Sequence, residues 1–408
     1  MNVVEGLLKD HKRSSHRWIG LEIERLFIRQ AREVLDYEAD IRPALEQLLG
    51  QGWRIENEWM GRPLAITKAL HVVSLEPGSQ LEVSLAPQAS VGALATALRA
   101  VDQELLECAS LKGAQALELG LNPWDLPDQR RLLPSPRYNL MDHYFAKIPK
   151  GRGREMMRLS TGLQVNIDYA SEAEGIDMFQ AALWVSPFLA TLFANSPFYA
   201  GKRGQHLSER AFVWELTDPL RSGFQDFFFD SDLSLATYSD WVQSVPLMYA
   251  YDEYKKIIPS EGASLKDLPE KLQGVNALGA LRQIFTEVRF KPCCVEVRTF
   301  DQVSAPLREA AAALVVGLLY SAESRQKIRA RLGHLKAKEC QEIRLRGADQ
   351  GLKDPQIFGV LCELVEWAQE GLHQRGMGEE VFLKPAQDLI DRRMTPAEDF
   401  LEKGSFVL

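Results

Sequence analysis

The segment Gly20-Leu21-Glu22-Ile23-Glu24-Arg25-Leu26-Phe27 carries two carboxylates two residues apart. Its alternation predicts a β-strand with both acids on one face. Like charges that close repel each other. A divalent cation removes the conflict, because Mg²⁺ prefers hard carboxylate oxygens and is commonly held by one or two of them. Three further segments repeat this logic. In Leu75–Pro87, Leu81, Val83 and Leu85 share one face, with Gln80, Glu82 and Ser84 on the other. Pro77 and Gly78 predict a bulge or turn there, so Glu76 need not follow the same register. In Thr161–Tyr169, Gln164, Asn166 and Asp168 lie opposite Leu163, Val165 and Ile167; in Cys294–Thr299, Glu296 and Arg298 lie together with two valines behind them.

An antiparallel sheet with one wetted face would also alternate. These polar faces, however, collect Glu, Gln and Asn with little Lys, which suits the lining of a metal–nucleotide site better than a solvated surface. The elements that must hold them are mixed. Residues 1–14, Ile41–Leu49 and Val91–Leu111 read as helices, the last with Ser90 as N-cap and Gly113 as stop. Glu172–Asn195 reads as a helix kinked or broken near Pro187. After about residue 305 the pattern is mainly helical: Pro306–Tyr320, Ala322–Leu332, Ile357–His373 and Ala386–Arg393. No repeat or linker forces a boundary, so a single α+β domain over residues 1–408 is expected.

Composition narrows the function. Of 408 residues, 46% are hydrophobic and 25% charged, as in a soluble globular protein. The net charge of −8 argues against a general nucleic-acid binder. The longest apolar run, Ala310–Tyr320, is 11 residues and too short for a bilayer, so no membrane partner is expected. The five cysteines form no C-x-x-C pair, which argues against zinc or a disulfide framework and predicts a cytoplasmic protein. There is no Walker loop and no dinucleotide fingerprint. Gly151-Arg152-Gly153-Arg154 reads as a surface turn, with a phosphate-contacting loop as the alternative. His143 and His206 read as structural or solvent-facing, and no Ser-His-Asp arrangement can be argued from spacing.

The ordered segments resemble the glutamate–cysteine ligases of the plant and proteobacterial type, within the carboxylate–amine ligase superfamily. Matching blocks are Gly20–Glu24, Leu75–Ser84, Arg137-Tyr138-Asn139-Leu140-Met141, Gln164–Asp168 and Phe193–Phe198. They continue with Ser208-Glu209-Arg210, Trp214–Gly223, Glu287–Lys291 and Val295–Arg298. The resemblance implies a glutamine synthetase-like catalytic fold: a curved, mainly antiparallel sheet with a polar concave face, helices outside and a helical C-terminal part. It also implies ATP held through Mg²⁺ (or Mn²⁺) without a P-loop. The candidate metal ligands are Glu22, Glu24, Glu76, Glu82, Gln164 and Glu296. Arg298, beside Glu296, is expected to face the transferring phosphoryl group or a substrate carboxylate. Arg210, Arg221 and Asn166 are candidates for ATP phosphates or the glutamate α-carboxylate, the two arginines having a surface ion pair as their alternative.

The activity implied is ATP-dependent ligation of the γ-carboxylate of L-glutamate to the amine of L-cysteine, a step of glutathione biosynthesis. A different acceptor amine and a non-catalytic nucleotide-binding homologue are the alternatives. Two departures bear on the acceptor. Asn276–Arg282 replaces a His-rich stretch, and Val297–Asp301 replaces a Met-Arg-Gly-Ala-Asp ending. The acceptor side is expected to depend on loops near Asn276–Arg282 and Thr299–Gln302.

Overall fold

The computed structural model describes residues 2–9, 16–29 and 32–403. Nine strands form its main sheet: β1 (Ile19–Ile28), β2 (Arg54–Trp59), β3 (Arg62–Lys68), β4 (His71–Leu75), β5 (Leu81–Ser84), β6 (Gln115–Leu117), β7 (Gly162–Asp168), β8 (Val288–Lys291) and β9 (Cys294–Asp301). The order is β8-β9-β7-β1-β5-β4-β3-β2, antiparallel throughout, with β6 pairing the far end of β1. All four acid-bearing segments therefore enter one sheet, with β1 between β5 and β7.

The alternation holds. Leu21 and Ile23 of β1, Leu81 and Val83 of β5, and Val295 and Val297 of β9 are buried on the apolar face. Arg25 shares that face and is neutralised by a two-pronged pair with Asp102, at 2.8 and 2.5 Å. On β7 the polar residues are buried as well, so this sheet has no simple wet face. Helices α1 (Val91–Leu106), α2 (Glu172–Leu192) and α4 (Ala305–Tyr320) pack against β1, β9 and β7 respectively. Helix α3 (Glu270–Arg282) stands apart from them, against the Tyr249–Tyr251 strand. Behind these lie α5 (Ala322–Leu332), α6 (Ala337–Gln350) and α7 (Pro355–Arg375).

Ser90 caps α1 through Ala93 N, as expected. Other expectations change. The first helix is Val3–Lys9, and residues 10–14 of the expected span lie outside those described. Helix α2 runs unbroken through Pro187. Proline removes the N–H that would bond the carbonyl of Leu183, and the hydroxyl of Ser186 donates to that carbonyl instead, at 3.0 Å. This helix is long and apolar enough to cross a membrane, but 83% of its most apolar stretch is buried inside the protein. Asn276–Arg282 is not a loop but the end of α3, and Thr299–Asp301 is the end of β9.

Candidate active site

Strand register brings the acids together. Glu22 lies opposite Ser84 of β5 and Gln164 of β7; Glu24 lies opposite Glu82, which in turn faces Ser74 of β4. Over this face opens a cavity of about 760 Å³, lined by Glu22, Glu24, Glu76, Glu82, Gln164 and Arg298 among others. Glu76 arrives by the β4–β5 turn that the Pro77-Gly78 pair predicts. Ser79 adopts φ +71°, Gly78 N–H donates to Gln80 Oε1 at 2.8 Å, and Leu133 N–H donates to Pro77 O at 2.8 Å. A Cβ on Gly78 would sit 2.1 Å from the carbonyl oxygen of Arg158, so no side chain fits there.

Glu22 pairs with Lys291, whereas Glu24, Glu76 and Glu82 make no ion pair among the described residues. Glu24 accepts from Gln164 Nε2 at 2.7 Å, and Glu82 accepts from the hydroxyls of Ser74 and Ser84 at 3.1 and 3.0 Å. Burial, then the neighbouring Glu76, pushes Glu24 up to about 7. Burial and the charges of Glu76, Glu22 and Glu24 push Glu82 well above the usual carboxylate range, and burial raises Glu76 too. Hard oxygen donors held short of positive charge fit a divalent cation in chemistry. Among the described residues no group of three or more His, Cys, Asp or Glu side chains is arranged to hold one. A cation there would draw on one or two carboxylates and on ligand oxygens.

Glu296, expected among the metal ligands, is a different kind of acid. It is fully buried and accepts from Arg289 Nε at 2.7 Å, Arg298 Nη1 at 2.9 Å and Lys291 Nζ at 3.1 Å. Burial alone would raise its pKa, but Arg289, Lys291 and Arg298 together hold it well below the usual range. Three cations occupy its oxygens, so its work is to anchor Arg298. The carbonyl of Gln164, also expected among the metal ligands, accepts from Arg298 at 2.8 Å while its amide donates to Glu24, so it links the two. Asn166 donates to Glu22 at 2.9 Å and does not line the cavity.

Two arginines are elsewhere. Arg221 is fully buried and bonds Asp218 (2.6 Å), the Tyr144 hydroxyl (2.9 Å) and the carbonyls of Pro246 (2.6 Å) and Gln283 (3.3 Å). It braces loops and does not line the cavity. Arg210 pairs with Asp301 at 3.6 Å and lies over the Trp214 ring, lining a separate void of about 20 Å³ behind Arg298. The Gly151–Arg154 cluster opens a short helix, with Arg154 paired to Asp128 and Asp142, and it does not line the cavity. His206 pairs with Asp349 and stacks on Phe212.

The cavity also holds residues that pattern reading left without a role: Arg137, Tyr249, Arg282, Arg289 and Lys291. For four of them a signal existed. Arg289 and Lys291 alternate with buried Val288 and Phe290, and Arg137 opens the Arg-Tyr-x-x-Met block. Arg282 closes the Asn276–Arg282 stretch singled out for the acceptor, and Tyr249 carried no signal.

Comparison with known proteins follows from this geometry. Residues 18–405 match the family described as Glutamate-cysteine ligase family 2 (GCS2). The chain is 33% identical over 346 residues to the chloroplastic glutamate–cysteine ligase of Solanum lycopersicum, covering 81% of this chain and 65% of that one. It is 33% identical over 345 residues to the chloroplastic enzyme of Arabidopsis thaliana, with the same coverage of 81% and 65%. The chain thus spans just under two thirds of the length of these relatives. Among solved structures, the glutamate–cysteine ligase of Francisella tularensis in complex with AMP superposes with a TM-score of 0.61 at 13% identity, covering 96% of this chain and 85% of that one. At that identity the likeness is one of fold, and it agrees with the mixed, mainly antiparallel architecture. The cytoplasmic expectation is overturned by the plant names, which state a chloroplast location. Its physical basis was too coarse, because free thiols mark a reducing compartment without saying which.

Proposed function

The chain belongs to glutamate–cysteine ligase family 2, and from that premise we propose that it joins the γ-carboxylate of L-glutamate to the amine of L-cysteine with ATP as co-substrate. The observation that carries this reading is the cavity in which Glu24, Glu76 and Glu82 make no ion pair among the described residues and stand beside Glu22 and Arg298. A carboxylate is a poor electrophile. Attack of its oxygen on the γ-phosphorus of ATP releases ADP and gives an acyl phosphate; the amine then attacks the acyl carbon, phosphate departs, and one amine proton is lost. Such transfer rests on positioning and charge neutralisation.

Glu22, Glu24, Glu76 and Glu82 are the residues that would hold Mg²⁺, or Mn²⁺ in its place. Bound there, the ion would draw charge from phosphate oxygens. Arg298 supplies a planar guanidinium suited to a carboxylate or phosphoryl oxygen, and Glu296 and Gln164 fix its direction. Asn166 and Lys291 restrain Glu22. We read residues 1–408 as one ligase domain. A second reading, ligation of glutamate to another amine, is favoured by the departure at Asn276–Arg282, since α3 contributes to the cavity wall. A non-catalytic homologue is disfavoured, because like-charge clusters are costly and serve no purpose without a cation.

The experiment is Mg²⁺-dependent ADP release from ATP and glutamate, screened across amino acids and small amines, with products weighed by mass spectrometry. γ-Glutamylcysteine is the expected product. An inert cysteine beside another productive amine selects the second reading, and no ADP release with any acceptor overturns both.

A further inference from the structure

At the rim of the cavity α3 ends on Leu278, Leu281 and Arg282, all part of the lining. Two buried amides fix that end. Asn276 accepts from Tyr251 N at 2.7 Å and donates to Tyr251 O at 2.9 Å. Gln283, just past the helix, accepts from Met248 N at 2.6 Å and donates to Tyr249 O at 3.2 Å. The helix end is thereby fastened to the strand that puts Tyr249 into the same cavity.

The cations of the cavity are not equivalent. Arg289, Lys291 and Arg298 share Glu296, and Lys291 also pairs with Glu22. Arg137 donates to the Tyr138 hydroxyl at 2.6 Å with its guanidinium 4.5 Å from the centre of that ring. The Arg282 side chain is exposed and makes no hydrogen bond or ion pair among the described residues, its charge acting instead on the neighbouring Tyr249 hydroxyl. Nor is it a principal charge acting on Glu24, Glu76 or Glu82, as Arg298 is on the first two and Arg137 on Glu76. One uncommitted guanidinium thus stands beside two leucines, away from the acidic floor.

We infer that Arg282 determines acceptor specificity by holding the carboxylate of an α-amino-acid acceptor at the cavity rim, with Leu278 and Leu281 toward its side chain. This rests on the ligase reading. The donor's γ-carboxylate must lie by the acidic floor, where the phosphoryl group is received. The acceptor's amine approaches that carbon from the open side, which leaves its carboxylate toward the rim. A guanidinium there offers two parallel donors to it.

The test compares an acceptor with its decarboxylated analogue, cysteine against cysteamine, in wild type, Arg282→Ala and Arg282→Lys. Losing a hydrogen bond between charged groups costs about 10- to 100-fold. The expected result for Arg282→Ala is a rise of that size in KM for cysteine, little change for cysteamine, and KM values for glutamate and ATP within about twofold of wild type, with partial recovery in Arg282→Lys. Unchanged cysteine-over-cysteamine preference overturns the inference, and so does a selective rise in KM for glutamate, which would assign Arg282 to the donor. Wild-type turnover is the separate check on the ligase reading. If wild type forms no product, calorimetric titration of cysteine and cysteamine into wild type and Arg282→Ala still decides: a preference that vanishes in the variant supports Arg282, and an equal or absent preference overturns it.

Discussion

Removing the charge of Glu296 should damage stability first and catalysis as a consequence. Glu296 is fully buried and compensates Arg289, Arg298 and Lys291 at 2.7, 2.9 and 3.1 Å. In Glu296→Gln, Lys291 keeps Glu22, but Arg289 is left with the carbonyls of Leu281 and Ile284, and Arg298 with Gln164. The new amide also turns an N–H toward a cation. Breaking a buried pair from one side costs about 3–5 kcal/mol, chiefly from the uncompensated charge that remains. Urea unfolding should show that loss as a lower midpoint at unchanged slope. Turnover should fall because Arg298 is no longer held, whereas the exposed-pair control Lys271→Met should be indistinguishable from wild type. A loss below about 1 kcal/mol, accompanied by weaker Mg²⁺ dependence, would refute this account and return Glu296 to the metal ligands.

Glu24, Glu76 and Glu82 have pKa values raised in the folded state, so between about pH 4.5 and 7 the native protein binds more protons than the unfolded chain. Their contribution to stability without divalent cation therefore falls as pH rises through that window. Glu24→Gln should accordingly be about 1–3 kcal/mol more stable than wild type at pH 8 without metal, and should gain less on adding Mg²⁺ with an ATP analogue; thermal melts decide. Burial pushes the Cys294 and Cys340 thiols up to about 12 and also raises Cys108. At pH 8 a thiol reagent should therefore leave these three unmodified until denaturant is added. Gly78→Ala should cost at least about 1–3 kcal/mol, since its Cβ meets backbone rather than a flexible side chain.

The acidic floor was legible because strand alternation is local: Glu22, Glu24 and Glu82 share a face by residue parity alone. The distinction between Glu82 and Glu296 was not. Both sit on polar faces, and only the cross-strand partners, Ser74 for one and Arg289 for the other, make one an acid short of charge and the other a saturated anchor. The placement of Arg210 and much of that of Arg221 was hidden for the same reason, since Asp301 and Pro246 are distant in sequence, although Asp218, the ion-pair partner of Arg221, lies only three residues before it. Helix α3 was missed because Gly274 and Gly279 lower its propensity and its residues lack a clean apolar stripe. Tertiary hydrogen bonds from Asn276 and Gln283 supply what propensity does not. Pro187 misled in the opposite direction, because a neighbouring hydroxyl repaired the helix it should have interrupted.

The floor and the rim are fastened by separate sets of bonds. The floor depends on strand register and on the Glu296 cluster, whereas the rim depends on two amides that clasp α3 to Met248, Tyr249 and Tyr251. Substitutions at the exposed Leu278 and Arg282 therefore leave both fastenings intact, whereas Leu281 is buried in the core. Such a division makes the protein evolvable in one direction: lineages can exchange rim side chains and drift toward new acceptors while the phosphoryl chemistry stays under purifying selection. For an engineer, the same division marks two exposed positions, Leu278 and Arg282, at which a library can be built without first restabilising the scaffold.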